Sequence, residues 1–191
     1  IYSKINKASI NSKKINKNDI FFTIKGKKND GNLFIKESFK KGASFAVVNK
    51  IDHTTRLSKQ LLVKDSLKSL TNISKKIRLN SLANIIAITG SCGKTSLKEL
   101  LVDIFSKISK VSCSPKSYNN KYGVPLSLFN INKYDDFGIF EIGMNKSGEI
   151  DTLSKIIKPD VGVITNISYA HAKNFENLNQ IAKAKSEIIN N

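Results

Sequence analysis

Cysteine is almost missing from this chain: Cys92 and Cys113 are the two present, and neither has a C-x-x-C partner. A disulfide framework or a thiolate zinc site is therefore not expected. Arginine is as scarce, with Arg56 and Arg78 alone among 32 basic residues. Because arginine is the usual residue for bidentate recognition of bases and phosphates, the net charge of +17, spread along the chain on lysines, reads as a solvated basic surface. No nucleic-acid partner is expected from it. The abundance of Lys, Asn and Ile fits a coding bias toward A and T. No apolar run approaches a membrane span, and Ile1-Tyr2-Ser3-Lys4 has neither an h-region nor a cleavage site. The cytoplasm is the expected compartment, with no membrane partner and a monomeric state.

What is present is enough apolar residue to fill buried cores, 40% of 191 positions, sufficient for one large or two small domains. The stretch Ile85-Ile86-Ala87-Ile88-Thr89-Gly90-Ser91-Cys92-Gly93-Lys94-Thr95-Ser96 organises the rest. A β-branched run breaks at Gly90, passes Gly93, and delivers Lys94 and Thr95 into an amphipathic segment from Leu97 to Phe105, in the order strand, tight loop, helix. Glycines let backbone N–H groups turn inward, the helix N-terminus adds positive potential, a lysine reaches terminal phosphate oxygens, and a threonine hydroxyl ligates Mg²⁺. The predicted ligand is a nucleoside triphosphate, held by Gly90, Ser91, Cys92, Gly93, Lys94, Thr95 and Ser96. The loop departs from G-x-x-x-x-G-K-[ST], since Ile88 stands where the first glycine belongs. Cys92 at a helix N-terminus has a motive for low thiol pKa, but a small residue tolerated in the loop is the preferred reading.

Before this stretch, Ile20 to Ile24, Leu33 to Ile35 and Ala46 to Val48 read as strands. Glu37 to Lys41, ended by Gly42, and Asp65 to Ile77 read as helices. This is a small α/β domain, with a boundary near Asn80 to Asn84. Afterwards strands are expected at Val111 to Cys113, Phe137 to Ile142 and Val161 to Thr165. Helices are expected from Val124-Pro125, over Ser147 to Ile157 and over Asn179 to Ile189. The alternation predicts an α/β fold with a doubly wound parallel sheet, in which ligands collect at the carboxyl ends of strands. Those ends carry Lys94 and Thr95, then Glu141, then Asn166 and His171, a set suited to a Mg²⁺-nucleotide site. Glu141 sits among Phe140, Ile142 and Met144, where an unpaired carboxylate would be costly.

Four stretches together resemble the Mur ligases of peptidoglycan synthesis, in particular the branch that adds D-alanyl-D-alanine. They are Ile88 to Ser96; Asn119-Asn120-Lys121-Tyr122-Gly123-Val124-Pro125; Glu141-Ile142-Gly143-Met144-Asn145 with Gly148-Glu149-Ile150; and Thr165-Asn166-Ile167 with His171 and Ile181 to Ile188. The shortened phosphate loop is that superfamily's own form. The segment Asn18 to Phe22 with Gly26, and Asp30 to Phe34 leading to Gly42-Ala43, are similar to the family's UDP-sugar-binding domain, with Asn11-Ser12-Lys13 where the family commonly has Asp-Ser-Arg.

The resemblance implies a UDP-sugar domain over 1–81 and an incomplete central ATP-binding P-loop domain over 82–191, with a C-terminal domain absent and this piece inactive alone. It implies ATP and two Mg²⁺ sites as cofactors, and UDP-N-acetylmuramoyl-tripeptide and D-alanyl-D-alanine as substrates joined through an acyl phosphate. It implies Lys94 on phosphate, Thr95 at one Mg²⁺, and Glu141 and His171 at a second. Ser12 is implied at the UDP-sugar. Asn120, with Asn119 as the alternative, is implied at the acyl phosphate or substrate carboxylate. Lys185, with Lys183 less well matched, is implied as a carbamylated lysine supporting the metal. Two other readings compete: a sister ligase adding a single amino acid, which substrate profiling separates, and a non-catalytic nucleotide-binding module, for which Lys94→Ala would leave the cellular role intact.

Overall fold

Short β-branched and aromatic runs separated by turn residues build two parallel sheets in the computed structural model, which describes residues 5–26, 29–169 and 174–190. The chain clusters into two compact units, Ile1–Ile73 and Ser74–Asn191. The division falls inside one helix, ahead of the expected boundary at 81/82, and the strand leading to the phosphate loop begins at Asn84.

In the first unit, β1 (Ala8–Ser9), β2 (Ile20–Phe22), β3 (Phe45–Val48) and β4 (Gln60–Leu62) pair in parallel in that order. Phe21, Ala46 and Val48 face Ile15, Ala43 and Ile35, the last on α1 (Ile35–Lys40). The expected strand at Leu33 to Ile35 is not one: Gly31–Phe34 form a 3₁₀ turn that runs straight into α1. Asp30 causes this. Its Oδ1 accepts the Asn32 backbone N–H at 2.9 Å and Asn32 Nδ2 at 2.7 Å, offering the backbone a local partner in place of a sheet ladder. These two bonds also hold the Asp30 carboxyl below its ordinary pKa. The strands β1 and β4 escape sequence reading because they are two and three residues long and lack alternation.

Helix α2 (Ser66–Leu79) leads to the second unit. Its strands β5 (Asn84–Thr89), β6 (Val111–Cys113), β7 (Phe137–Glu141) and β8 (Val161–Ile164) are all parallel, in the order β6-β7-β5-β8. Strand β5 is buried on both faces. Ile86 and Ile88 pack toward Leu97, Leu101 and Phe105 of α3 (Lys94–Phe105). Ile85 and Ala87 join Val124 and Leu128 of α4 (Gly123–Phe129), Ile150 and Leu153 of α5 (Glu149–Ile157), and Ile181 and Ala184 of α6 (Leu178–Ser186). Helices thus cover both faces, as a doubly wound sheet requires. The helix expected to reach Ile189 ends at Ser186 and tightens into a 3₁₀ turn, Glu187–Asn190. There the Glu187 carboxylate leaves its own helix to accept the Gly148 and Asp151 N–H groups at the start of α5, at 2.8 and 3.1 Å. No helix among the described residues is long and apolar enough to cross a membrane.

Candidate active site

The parallel register sets the site. Ile88 pairs with Glu141 and Thr89 with Ile164, so the carboxyl ends of β5, β7 and β8 deliver Gly90, Glu141 and Thr165 to one edge of the sheet. This is the edge at which open α/β sheets bind ligands.

Gly90 turns the chain at φ +147°, and a Cβ there would collide with Thr165 Oγ1. The loop is braced from β8: Asn166 Oδ1 accepts the Ser91 and Cys92 N–H groups at 3.1 and 3.0 Å, and Thr165 Oγ1 donates to Cys92 O at 2.6 Å. Ser91 Oγ donates to Ser168 O at 2.9 Å. Two of the amides expected on phosphate are thus committed to Asn166. Lys94, Thr95 and Ser96 form the first turn of α3, where N–H groups have no intrahelical acceptor. Lys94 Nζ lies back over the loop, donating to Gly90 O at 2.8 Å. Cys92 is exposed and free, as is Cys113.

Glu141 is 1% exposed, and both its oxygens are satisfied. Thr95 Oγ1 donates to Oε2 at 2.7 Å, and Asn119 Nδ2 donates to Oε1 at 2.6 Å. Of the two asparagines, Asn119 is the one that bonds the Glu141 side chain. Asn120 Oδ1 instead accepts the Tyr122 and Gly123 N–H groups at 3.0 and 3.1 Å, capping α4, although Asn120 still lines the adjoining cavity. The N-N pair was visible in sequence; which member faces Glu141 depends on the turn before α4.

That cavity, about 430 Å³, is bordered by Gly90, Lys94, Asn119, Asn120, Glu149 and Lys185 among others. Lys185 is 2% exposed, whereas Lys183 on the same helix is exposed. Burial, together with the charge of Lys94, pulls the Lys185 amine down from 10.5 to about 8. Ser12 lies in the first unit, buried, its Oγ donating to Glu37 Oε2 at 2.7 Å. His171 lies outside the described residues.

The donor set fits the implied ligands. A threonine hydroxyl and a carboxylate in mutual contact are hard oxygen donors, and Mg²⁺ typically takes one or two protein oxygens with the remainder from phosphate and water. No group of three His, Cys, Asp or Glu side chains among the described residues forms an all-protein cage.

Residues 88–191 match the Mur ligase middle domain family. The chain is 39% identical over 186 residues to the UDP-N-acetylmuramoyl-tripeptide–D-alanyl-D-alanine ligase of Rickettsia prowazekii, covering 97% of this chain and 41% of that protein. It superimposes on MurF of Acinetobacter baumannii with a TM-score of 0.85 at 33% identity, covering 97% of this chain and 41% of that one. For MurF of Thermotoga maritima in complex with ADP the values are 0.81, 31%, 97% and 43%. The chain thus spans about two fifths of the length of these relatives. With the family match extending over more than half of its residues, from the last two residues of β5 through the phosphate loop, Glu141 and Lys185, the chain belongs to the Mur ligase family.

Proposed function

We propose that the protein containing this chain is an ATP-dependent ligase that joins D-alanyl-D-alanine to UDP-N-acetylmuramoyl-tripeptide in peptidoglycan synthesis. The observation that carries the reading is the buried Glu141 carboxylate, held by Thr95 of the phosphate-loop helix and by Asn119 at the rim of a cavity that also takes Lys94 and Lys185. The full-length relatives carry this activity in their names.

In this reaction the γ-phosphoryl group passes to the tripeptide's terminal carboxylate, and the dipeptide amine attacks the acyl phosphate and expels phosphate. Lys94 exchanges the Gly90 carbonyl for phosphate oxygens, and the first-turn amides of α3 stabilise the same charge. Thr95 would hold one Mg²⁺, and Glu141 with His171 a second, the hydrogen bond between Thr95 and Glu141 giving way to the metals. Mg²⁺, when bound, withdraws charge from the phosphate oxygens. Residues 1–81 bind the UDP-sugar, with Ser12 among the contacts.

Lys185 is carbamylated in the working enzyme. Its lowered pKa leaves more neutral amine at neutral pH than an exposed lysine has. The amine nitrogen attacks CO₂, a C–O π pair moves onto oxygen, and the lost proton goes to solvent, leaving a carboxylate where a cation stood. The 191-residue segment is expected not to ligate by itself.

The test is phosphate release by the full-length gene product with ATP, Mg²⁺, UDP-N-acetylmuramoyl-tripeptide and either D-alanyl-D-alanine or single amino acids, with Lys94→Ala as control. Release that needs the dipeptide and vanishes in the control is expected. Release with a single amino acid instead assigns a sister ligase, and release with neither refutes the ligase reading.

A further inference from the structure

Lys98 is a buried cation that none of the steps above uses. It is 2% exposed, and Nζ donates to Ser114 O at 3.0 Å and to Lys116 O at 2.6 Å. Both acceptors are neutral carbonyls, and among the described residues Lys98 forms no ion pair. Burying an ammonium without a counter-charge is expensive. A leucine at this position would fill the space without that cost. What the charge adds is two strong, charge-assisted bonds to backbone, aimed at one short loop.

That loop runs from β6 to α4 and carries Asn119. Its first residue is tied to β7 twice: Ser114 N–H donates to Ile139 O at 3.1 Å, and Ser114 Oγ accepts the Glu141 N–H at 3.2 Å. Lys116 adopts φ +48°, a left-handed conformation unfavourable for a side chain with a Cβ. At its far end Asn119 O accepts the Gly143 N–H at 2.8 Å while its side chain holds Glu141. Lys98 is one helical turn from Thr95, on the same side of α3. The bonds therefore close a ring: Thr95 to Glu141, Glu141 to Asn119, Asn119 through the loop to Lys116 and Ser114, and these back to α3 through Lys98.

We propose that Lys98 is a positioning residue that clamps the 114–119 loop to the phosphate-loop helix, so that Thr95 and Asn119 grip the two oxygens of Glu141 in fixed register. The inference builds on the ligase reading but concerns a part of the chain which that reading leaves without a task. Nucleotide arriving at the start of α3 and metal arriving at Glu141 then meet one rigid body. Without the clamp, Asn119 and Glu141 lose their register against Thr95 and the metal site loosens, while the first-turn amides of α3 and Lys94 keep their hold on phosphate.

The experiment uses the full-length gene product with Lys98→Met, which keeps length and removes the charge, and Lys98→Arg, which keeps the charge. Three quantities are read: ATP binding with and without Mg²⁺, the Mg²⁺ concentration for half-maximal phosphate release, and hydrogen exchange of the 114–120 and Gly143 amides in the absence of metal and nucleotide. In Lys98→Met the half-saturating Mg²⁺ is expected to rise about 10- to 100-fold, the range seen when a group supporting a metal ligand is removed. The kcat is expected to fall with KM for the dipeptide unchanged, and metal-free ATP binding is expected to stay within about twofold, since those contacts are untouched. Exchange is expected to accelerate at Gly143 and across 114–120 but not in β5, and Lys98→Arg is expected to recover part of the Mg²⁺ affinity.

A Lys98→Met protein with unchanged Mg²⁺ dependence and unchanged exchange at Gly143 overturns the proposal. So does a loss of stability spread evenly over the second unit with the Mg²⁺ constant unmoved. If Lys98→Met does not fold, Lys98→Gln, whose amide still offers donors, is judged by the same criteria, and failure of both to fold counts against a local clamp. If the unmutated protein releases no phosphate, the ligase reading falls, while Mg²⁺-dependent ATP binding and the exchange pattern still decide the role of Lys98.

Discussion

Replacing Gly90 by alanine tests whether the phosphate loop is shaped by its contact with β8. The backbone at Gly90 has φ +147°, and the added methyl would collide with Thr165 Oγ1. That hydroxyl bonds Cys92 O at 2.6 Å and Thr89 O at 3.3 Å, so it cannot move aside freely. Backbone strain of about 1–2 kcal/mol, overpacking of about 1–3 kcal/mol and a weakened hydrogen bond of about 1 kcal/mol together predict a loss of about 3–6 kcal/mol. Gly148 supplies the control: its φ is +81°, but nothing lies within 4 Å of a Cβ there, so Gly148→Ala carries only the backbone cost, about 1–2 kcal/mol. Denaturant unfolding of the full-length protein, followed by a probe in the second unit, reads both variants. Adding Thr165→Ala to Gly90→Ala removes the obstructing oxygen and is expected to return about 1–2 kcal/mol relative to additivity. Equal losses for Gly90→Ala and Gly148→Ala, or strict additivity with Thr165→Ala, would show that contact with β8 does not shape the loop.

Three further outcomes are expected. Glu141→Gln keeps the shape of the side chain but removes its charge, so the Mg²⁺ needed for half-maximal phosphate release should rise by at least ~10-fold, with metal-free ATP binding little changed; titrating Mg²⁺ in the release assay checks this. Lys185 has its pKa drawn from 10.5 down to about 8, so from pH 8 to 10.5 the unfolded chain holds a proton that the folded chain has lost. Stability from this group is therefore complete above 10.5 and falls away as pH drops through 8. In bicarbonate-free buffer, the slope of stability against pH in that window should be shallower in Lys185→Met. Arg78 donates to Ile157 O at 2.8 Å, Lys158 O at 2.7 Å and Asp160 Oδ2 at 2.9 Å. Arg78→Ala should cost about 1.5–3 kcal/mol of stability, measured by denaturant midpoint, with ATP affinity unaltered.

The parts legible in sequence were those whose cause is local. The run Ile85 to Ile88 declares a doubly buried strand by its own composition, and Gly90 followed by Lys94 and Thr95 declares the turn and helix start. The strands at β6, β7 and β8 fall within two residues of their expected ends for the same reason. The segment at Leu33 misled because its apolar residues look like a strand while the decisive group, the Asp30 carboxylate, acts from outside the run. Asn119 and Asn120 are adjacent and chemically identical; only the start of α4 determines which side chain caps a helix and which reaches Glu141. Lys98 shows the same limit: a lysine on an amphipathic helix reads as solvent-facing, and its burial is decided by a loop sixteen residues later. Asn166 reads in sequence as a polar group at a strand end, but its grip on the Ser91 and Cys92 amides requires β8 to lie beside β5.

Under the proposed function, that grip bears on how selectively a nucleotide would be taken up. A glycine-containing loop left to itself would sample many shapes, and a ligand would have to select one, with part of its binding energy spent on ordering. Here the ordering is done during folding, with Asn166 serving as a permanent internal substitute for an anion at two of the amides. On the proposed function, an incoming triphosphate would meet a docking surface already set, its main rearrangement being the swing of Lys94 away from the Gly90 carbonyl toward negative charge. A ligand lacking that charge has nothing to draw the lysine out, so discrimination against uncharged nucleosides is built into the resting position of a single side chain.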